Sequence, residues 1–321
     1  MRVSRFSKPL LASAGALMLT ACGGGGGMSF IPSPPVTPIP TPSPTPTPAG
    51  AQVTILPHPT AGDFATAGVW TNYAWAEASE ATRFTAIQGV DSNQVHVRYT
   101  SSGTYEVQLP GDSFGELSHS ATISNPAPED PFLTLSPSWR GTFTIQYPHS
   151  GYNYSALATW ARGDNDFGFT EDLGVVAFGV PTPAGGVPVS GAATYTGLVS
   201  GLSDAKTFDP VSSTWLLLPA GGTVGLNFNF ASGSLTGQMA LSINGGMNPI
   251  SVGNYAFSQT VFSPGATSYS GKFDTILPGF NFFNGSFTGP HAEETIGEWA
   301  VPFTLDGQSH QALGAWIARK P

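Results

Sequence analysis

Polar and apolar residues alternate strictly over several stretches of the C-terminal part of the chain. Leu226, Phe228 and Phe230 fall on one side of an extended segment, and Asn227 and Asn229 on the other. Leu235, Gly237, Met239, Leu241 and Ile243 oppose Ser234, Thr236, Gln238 and Ser242. Tyr269, Gly271 and Phe273 oppose Ser270, Lys272 and Asp274. A period of two with one polar side marks a half-buried antiparallel sheet. Eight strand-like runs follow one another between turn residues: Ala193–Leu202, Thr223–Phe230, Ser234–Ile243, Asn254–Phe262, Thr267–Thr275, Phe280–Thr288, Ile296–Leu305 and His310–Arg319. Consecutive strands with short links predict an up-and-down barrel, which has no sheet edge. Eight strands enclose little more room than their own side chains fill. Gly197, Gly237 and Gly271, inside the runs, are placed to relieve crowding where so tight a barrel bends.

Upstream the pattern is β-like but shorter. Val95–Tyr99 and Thr104–Leu109 flank Ser101-Ser102-Gly103 and predict a hairpin. Thr142–Tyr147 and Tyr154–Ala161 continue the theme, and Leu173–Val180 is an apolar strand-like run. The segment Pro181-Thr182-Pro183-Ala184-Gly185-Gly186-Val187-Pro188 reads as a boundary. The expected fold is therefore all-β: a smaller β-rich domain over 51–188, then an eight-stranded antiparallel barrel over 189–321.

The first 50 residues read differently. Met1 to Lys8 is short and basic, and Leu10 to Thr20 is apolar and too short to span a bilayer as a mature helix. This is the pattern of a signal peptide over 1–21. Gly23 to Gly27 is a glycine run, and Pro32 to Pro48 repeats Thr-Pro and Ser-Pro units. A sequence of this kind buries no core and favours polyproline II, so 22–50 is expected to be a stalk.

Composition sharpens this picture. The chain holds 40 Gly and 29 Pro in 321 residues, with 12% aromatics, a bias toward turns and pleated surfaces. Its formal charge is -9; cleavage after Ala21 removes Arg2, Arg5 and Lys8 and leaves 8 basic against 20 acidic residues, or -12. Such a surface repels phosphate backbones and argues against a nucleic-acid partner. Cys22 is the one cysteine, so no intrachain disulfide forms.

Two resemblances join these readings. Leu19-Thr20-Ala21-Cys22 resembles the lipobox of bacterial lipoproteins, which implies diacylation of the Cys22 thiol by palmitate-type chains and cleavage before it. Gly23, where inner-membrane retention usually requires Asp, implies the outer membrane. Val187-Pro188-Val189-Ser190-Gly191-Ala192-Ala193-Thr194-Tyr195-Thr196-Gly197 resembles the lead-in to the barrel of the transferrin-binding protein B family. Phe287-Thr288-Gly289-Pro290-His291-Ala292-Glu293-Glu294-Thr295-Ile296-Gly297 is similar to that family's recurrent turn, with Thr288 in place of an aromatic and Ile296 in place of a glycine. The resemblance implies a handle-like domain before the barrel and a surface lipoprotein that binds a protein or a haem-type ligand. It implies no resident cofactor. Gly289, Pro290, Ala292, Glu294 and Gly297 are then structural turn residues, with Glu294 expected to accept the backbone N–H groups that close the turn.

Alternation alone fits a membrane-spanning barrel as well, with apolar residues outward. The lipid anchor, the stalk and an end in Ala318-Arg319-Lys320-Pro321 favour a polar exterior instead. Other candidate chemistry is thin. Gly111-Asp112-Ser113-Phe114-Gly115 fits Gly-x-Ser-x-Gly, but a nucleophile elbow at Ser113 needs a helix next, and Pro126, Pro128 and Pro131 follow. Asp164, Asn165, Asp166, Glu171 and Asp172 suggest half a calcium loop, but Gly168 stands where an EF-hand needs a ligand. His58, His96, His119, His149, His291 and His310 lack metal-ligand spacing, so no metal site is expected. Glu293 and Glu294 are adjacent, but a structural role suits them better than an acid/base pair. The expected function is non-enzymatic binding at the cell surface, in iron acquisition or adhesion. A structural envelope lipoprotein is the alternative, and an esterase using Ser113 is third.

Overall fold

In the computed structural model, residues 61–74, 86–90, 94–119, 133–135, 141–146, 151–163, 170–209, 214–243 and 248–321 are described. Every regular element among them is a strand. The first ten are β1 (Gly62–Asp63), β2 (Ala65–Ala74), β3 (Ala86–Val90), β4 (His96–Tyr99), β5 (Tyr105–Gln108), β6 (Gly115–His119), β7 (Leu133–Leu135), β8 (Gly141–Gln146), β9 (Ser155–Gly163) and β10 (Thr170–Gly179). They form two five-stranded sheets, ordered β1-β4-β5-β6-β7 and β3-β2-β10-β9-β8. The expected hairpin is β4–β5, with His96 opposite Gln108 and Tyr99 opposite Tyr105.

The remaining strands close into an antiparallel barrel: β11 (Ala192–Asp209), β12 (Thr214–Asn229), β13 (Ser234–Ile243), β14 (Ile250–Val261), β15 (Ser268–Phe273), β16 (Phe282–Thr288), β17 (Glu294–Leu305) and β18 (Gln308–Arg319). Closure is made by β11 against β18, from Thr196 opposite Arg319 to Ser203 opposite Ala312. The alternation read from the sequence sorts as expected. Leu226, Phe228, Phe230, Leu235, Met239, Leu241, Ile243, Tyr269 and Phe273 are all buried, while Asn227, Asn229, Ser234, Thr236 and Gln238 are exposed. The interior is a solid aromatic core. Phe228 lies within 4.8 to 5.5 Å of the rings of Tyr195, Phe262, Tyr269 and Phe287. Trp299 and Trp316 are fully buried in the same cluster.

The two longest strands run past their expected ends. Leu217-Leu218-Pro219-Ala220-Gly221-Gly222 has turn chemistry, yet β12 passes through it. Pro219 faces Leu202 where the β11–β12 register shifts, between Leu202 and Lys206. A proline is tolerated there because a bulge needs no ladder N–H. Ser203 in the bulge donates its hydroxyl to Leu218 O at 2.7 Å.

Layer order explains the apolar run at Leu173–Val180. The β2–β3 and β8–β10 sheet is covered on both faces. On one side Phe143, Ile145, Trp160, Val176 and Phe178 pack against Val97, Tyr105, Val107 and Leu109 of the other sheet. On the opposite side Ala67, Leu157, Val175 and Ala177 pack against Ile296, Ala315 and Ile317 of the barrel, and Val69 meets Ala300 and Leu313. Strands β17 and β18 are accordingly buried inside and outside over most of their length. The described residues all fall within one compact unit. The boundary segment is knitted into it: Thr182 N donates to Phe287 O at 3.1 Å, and Thr182 Oγ1 donates to Gly289 O at 2.7 Å.

Candidate functional site

The turn between β16 and β17 is set by backbone conformation. Gly289 has φ +84° and Ala292 φ +56°. Any side chain at Gly289 would strike Tyr154 and the Glu293 carboxylate, so the handle-like sheets and the turn are fitted to each other there. Gly289 N donates to Val180 O at 2.9 Å. Ala292 is fully buried, and its carbonyl accepts the Tyr195 hydroxyl at 2.6 Å. Pro290 is half-buried, close enough that a side chain at Gly186 would meet its carbonyl. Gly297 lies on the inner face, where Trp316 crosses it.

The two glutamates divide the work differently from the sequence expectation. Glu293 Oε2, not Glu294, accepts a turn amide, from His291 N at 2.8 Å. Glu294 is the first residue of β17, and strand alternation turns it outward, under the sheets that precede the barrel. Its carboxylate accepts Asn153 N at 2.6 Å and Tyr154 N at 3.1 Å. Glu298, two outward positions further along, accepts Gly68 N at 2.9 Å and Asn284 Nδ2 at 2.7 Å. Both carboxylates are buried. Burial pushes the Glu294 carboxyl above its ordinary 4.5, against the pull of the Asn153 and Tyr154 amides, the Ser155 hydroxyl and the Arg319 charge. The same burial raises the Tyr152 hydroxyl to about 12. It stays protonated and donates to Ile317 O at 3.3 Å.

The remaining candidates scatter. Ser113 is exposed in the turn between β5 and β6. A strand follows it where a nucleophile elbow requires a helix. Its neighbour Asp112 pairs with Arg162 at 2.6 Å, and Arg162 also binds Asp172. This ion pair joins the two handle-like sheets, and nothing in the sequence marked it. Arg98 stacks 3.9 Å over Phe114, whose other neighbour is His96 at 6.3 Å. His291 is exposed. His310 pairs through Nδ1 with Asp204 Oδ1 at 2.9 Å, and Gln311 N donates to the same oxygen. Cys22, His58, His149, Asp164, Asn165, Asp166 and Gly168 lie outside the described residues.

At the other end of the barrel the described rim holds the β15–β16 and β17–β18 links and the first residue of β14, Ile250. The β15–β16 loop, 274–281, is pinned by polar bonds. Gln311 Oε1 accepts Phe280 N at 3.1 Å, and Asn281 exchanges two bonds with the backbone of Phe273. On this frame Ile276 is fully exposed, Phe280 is 46% exposed and Ile250 42%.

Neither a protein-family model nor a curated protein sequence matches the chain. Among solved structures it is similar to a mutant of transferrin-binding protein B from Haemophilus parasuis, at 15% identity and a TM-score of 0.44 over 80% of this chain and 45% of that one. It is similar to isotype 1 transferrin-binding protein B from serogroup B Neisseria meningitidis, at 16% identity and a TM-score of 0.40 over 79% and 43%. A surface lipoprotein aligns over 79% of this chain and 98% of its own, at 13% identity and a TM-score of 0.39. The chain spans less than half the length of these two transferrin-binding proteins. At such identities the likeness says nothing of what the chain binds. Among the described residues the architecture is two five-stranded sheets followed by a closed eight-stranded antiparallel barrel.

Proposed function

We propose that the chain is an outer-membrane lipoprotein, held by acyl chains on Cys22, carried on the stalk at 22–50 and displayed at the cell surface, and that it binds without catalysing a reaction. Its ligand is a host or environmental protein, or a loop-bound solute such as haem. The observation that supports this most is the division of the barrel. Among the described residues the interior is packed with buried aromatic and aliphatic side chains, while the rim fixes Ile276 and Phe280 in water on a hydrogen-bonded loop. Exposed apolar side chains on a rigid frame are the usual currency of protein recognition. The outward rows of Asn, Thr, Ser and Gln on β12 and β13 are the reverse of a lipid-facing band.

The test is purification of the full-length protein from outer membranes of intact, protease-treated and untreated cells. The proposal expects loss of the protein on protease treatment, and either a stoichiometric second chain or a Soret band in the untreated sample. Protection from protease with neither ligand would favour a structural envelope role and overturn the binding reading.

A further inference from the structure

A groove of about 580 Å³ lies on the outer wall of the barrel beside the handle-like sheets, within the size range of small-molecule sites. Its floor is set by strand register. Arg319, Thr196, Gly225 and Gln238 are successive cross-strand partners on β18, β11, β12 and β13. With strands ~4.8 Å apart, that row spans roughly 14 Å from the guanidinium strand to the carboxamide strand. Leu198, Thr223 and Ala240 form the next row on the same face.

Three features give the groove a chemical preference. The first is charge. Arg319 stands at one end, Nη1 donating to Gly151 O at 3.0 Å and the guanidinium 5.6 Å over Tyr152. Among the described residues the Gly151 bond occupies one of five donors, and the fork suits a carboxylate. The second is the notch at Gly225. A Cβ placed there meets nothing within 4 Å, so a ligand ring can approach the backbone between Thr196 and Gln238. The third is barrel closure. The ladder has no open edge here to pair with an extended peptide, so recognition falls to hydroxyl and amide side chains, which suit a polyhydroxylated ligand.

We propose that this groove binds a saccharide carrying a carboxylate. The carboxylate meets Arg319, the hydroxyl groups meet Thr196, Thr223 and Gln238, and the apolar face of the ring lies over Gly225, Leu198 and Ala240. This rests on the reading of the chain as a binding protein and adds a site and a ligand class to it.

The test is calorimetric titration of the full-length, detergent-solubilised protein with N-acetylneuraminic acid and with galacturonate, against galactose. The acids are expected to bind at least tenfold more tightly than galactose. Arg319→Gln should bring them to the level of galactose. Gly225→Leu fills the notch and should abolish binding with an unchanged melting temperature. Equal affinity for acid and neutral sugars, binding untouched by either substitution, or no binding of either acid would overturn the proposal. Gly225→Leu leaves the rim loops alone. Lost sugar binding with a retained co-purifying partner therefore separates the groove from the rim. Absence of any partner or haem sinks the broader reading while the titration still decides the groove.

Discussion

The carboxylate of Glu294 accepts the backbone N–H of Asn153 at 2.6 Å, across 141 positions of sequence. With Tyr154 N on its second oxygen, it holds the start of β9 against the first residue of β17. Glu298 repeats the arrangement on Gly68 N. The barrel thus grips the neighbouring sheet by two carboxylates that each take a main-chain N–H, with Ile296 between them in an apolar contact.

Removing the Glu294 side chain should destabilise the protein. Glu294→Ala leaves the buried Tyr154 amide and the part-buried Asn153 amide without their acceptor, at a cost of about 1–3 kcal/mol. Thermal melts at neutral pH should show a lower midpoint. An unchanged or higher midpoint would refute the clamp.

The same residue predicts a pH dependence. Burial raises its carboxyl above 4.5, so between its unfolded and folded values the folded state binds more protons. Its contribution to stability is then complete below about 4.5 and declines as pH rises through the folded value. Glu294→Gln cannot titrate. Subtracting its stability from that of the wild type, measured by urea titration in steps from pH 4 to 7, should leave a falling difference. A difference flat in pH would show that burial does not dominate.

Membrane attachment is the third prediction. Cys22 is the sole thiol and ends a segment, Leu19-Thr20-Ala21-Cys22, that resembles a lipobox, so under the proposed anchoring Cys22→Ala should move the protein from the membrane pellet to the soluble fraction. Retention of the variant in the pellet would sink the lipoprotein reading.

A fourth prediction concerns the domains we propose, 51–188 and 189–321. Residues 187–321 expressed alone would expose Ile296, Leu313, Ala315 and Ile317, which the preceding sheet covers. The isolated barrel should give a β-type circular dichroism spectrum and bind a hydrophobic dye that the full chain does not. Ile296→Asn with Ile317→Asn should suppress the dye signal. A barrel without dye binding would mean that its outer wall is not the sticky surface described.

Much of the barrel was legible because alternation is local. Leu226 and Asn227 declare opposite faces whatever lies beyond them. What covers an outward face is decided by residues far away in sequence, so nothing near Ile317 announced that Val175 and Leu157 would lie over it. The pair Glu293-Glu294 shows the same limit at the scale of one residue. Both were recognisable as structural, but which one serves the turn depends on where alternation restarts after the left-handed Ala292. The groove was invisible for a related reason. Arg319, Thr196, Gly225 and Gln238 become a row through register alone.

The strand glycines yield the last prediction, because the structure separates residues that look alike in sequence. At Gly237 φ is +137°, and a Cβ would lie 2.1 Å from Gly225 O. At Gly197 a Cβ would lie 1.9 Å from Ile317 O. In both cases the obstacle is backbone of the adjacent strand, which cannot swing aside as a side chain can. Gly225 sits beside them with open space where its Cβ would be. Gly197→Ala and Gly237→Ala should each destabilise the barrel by at least the 1–3 kcal/mol typical of overpacking, about the cost of forcing strands apart. Gly225→Ala should be neutral or slightly stabilising, since it restricts the unfolded chain without a clash. Chemical denaturation of the three variants side by side decides the matter. Equal losses at all three positions would mean that conformational freedom, rather than close approach of strands, is what these glycines supply.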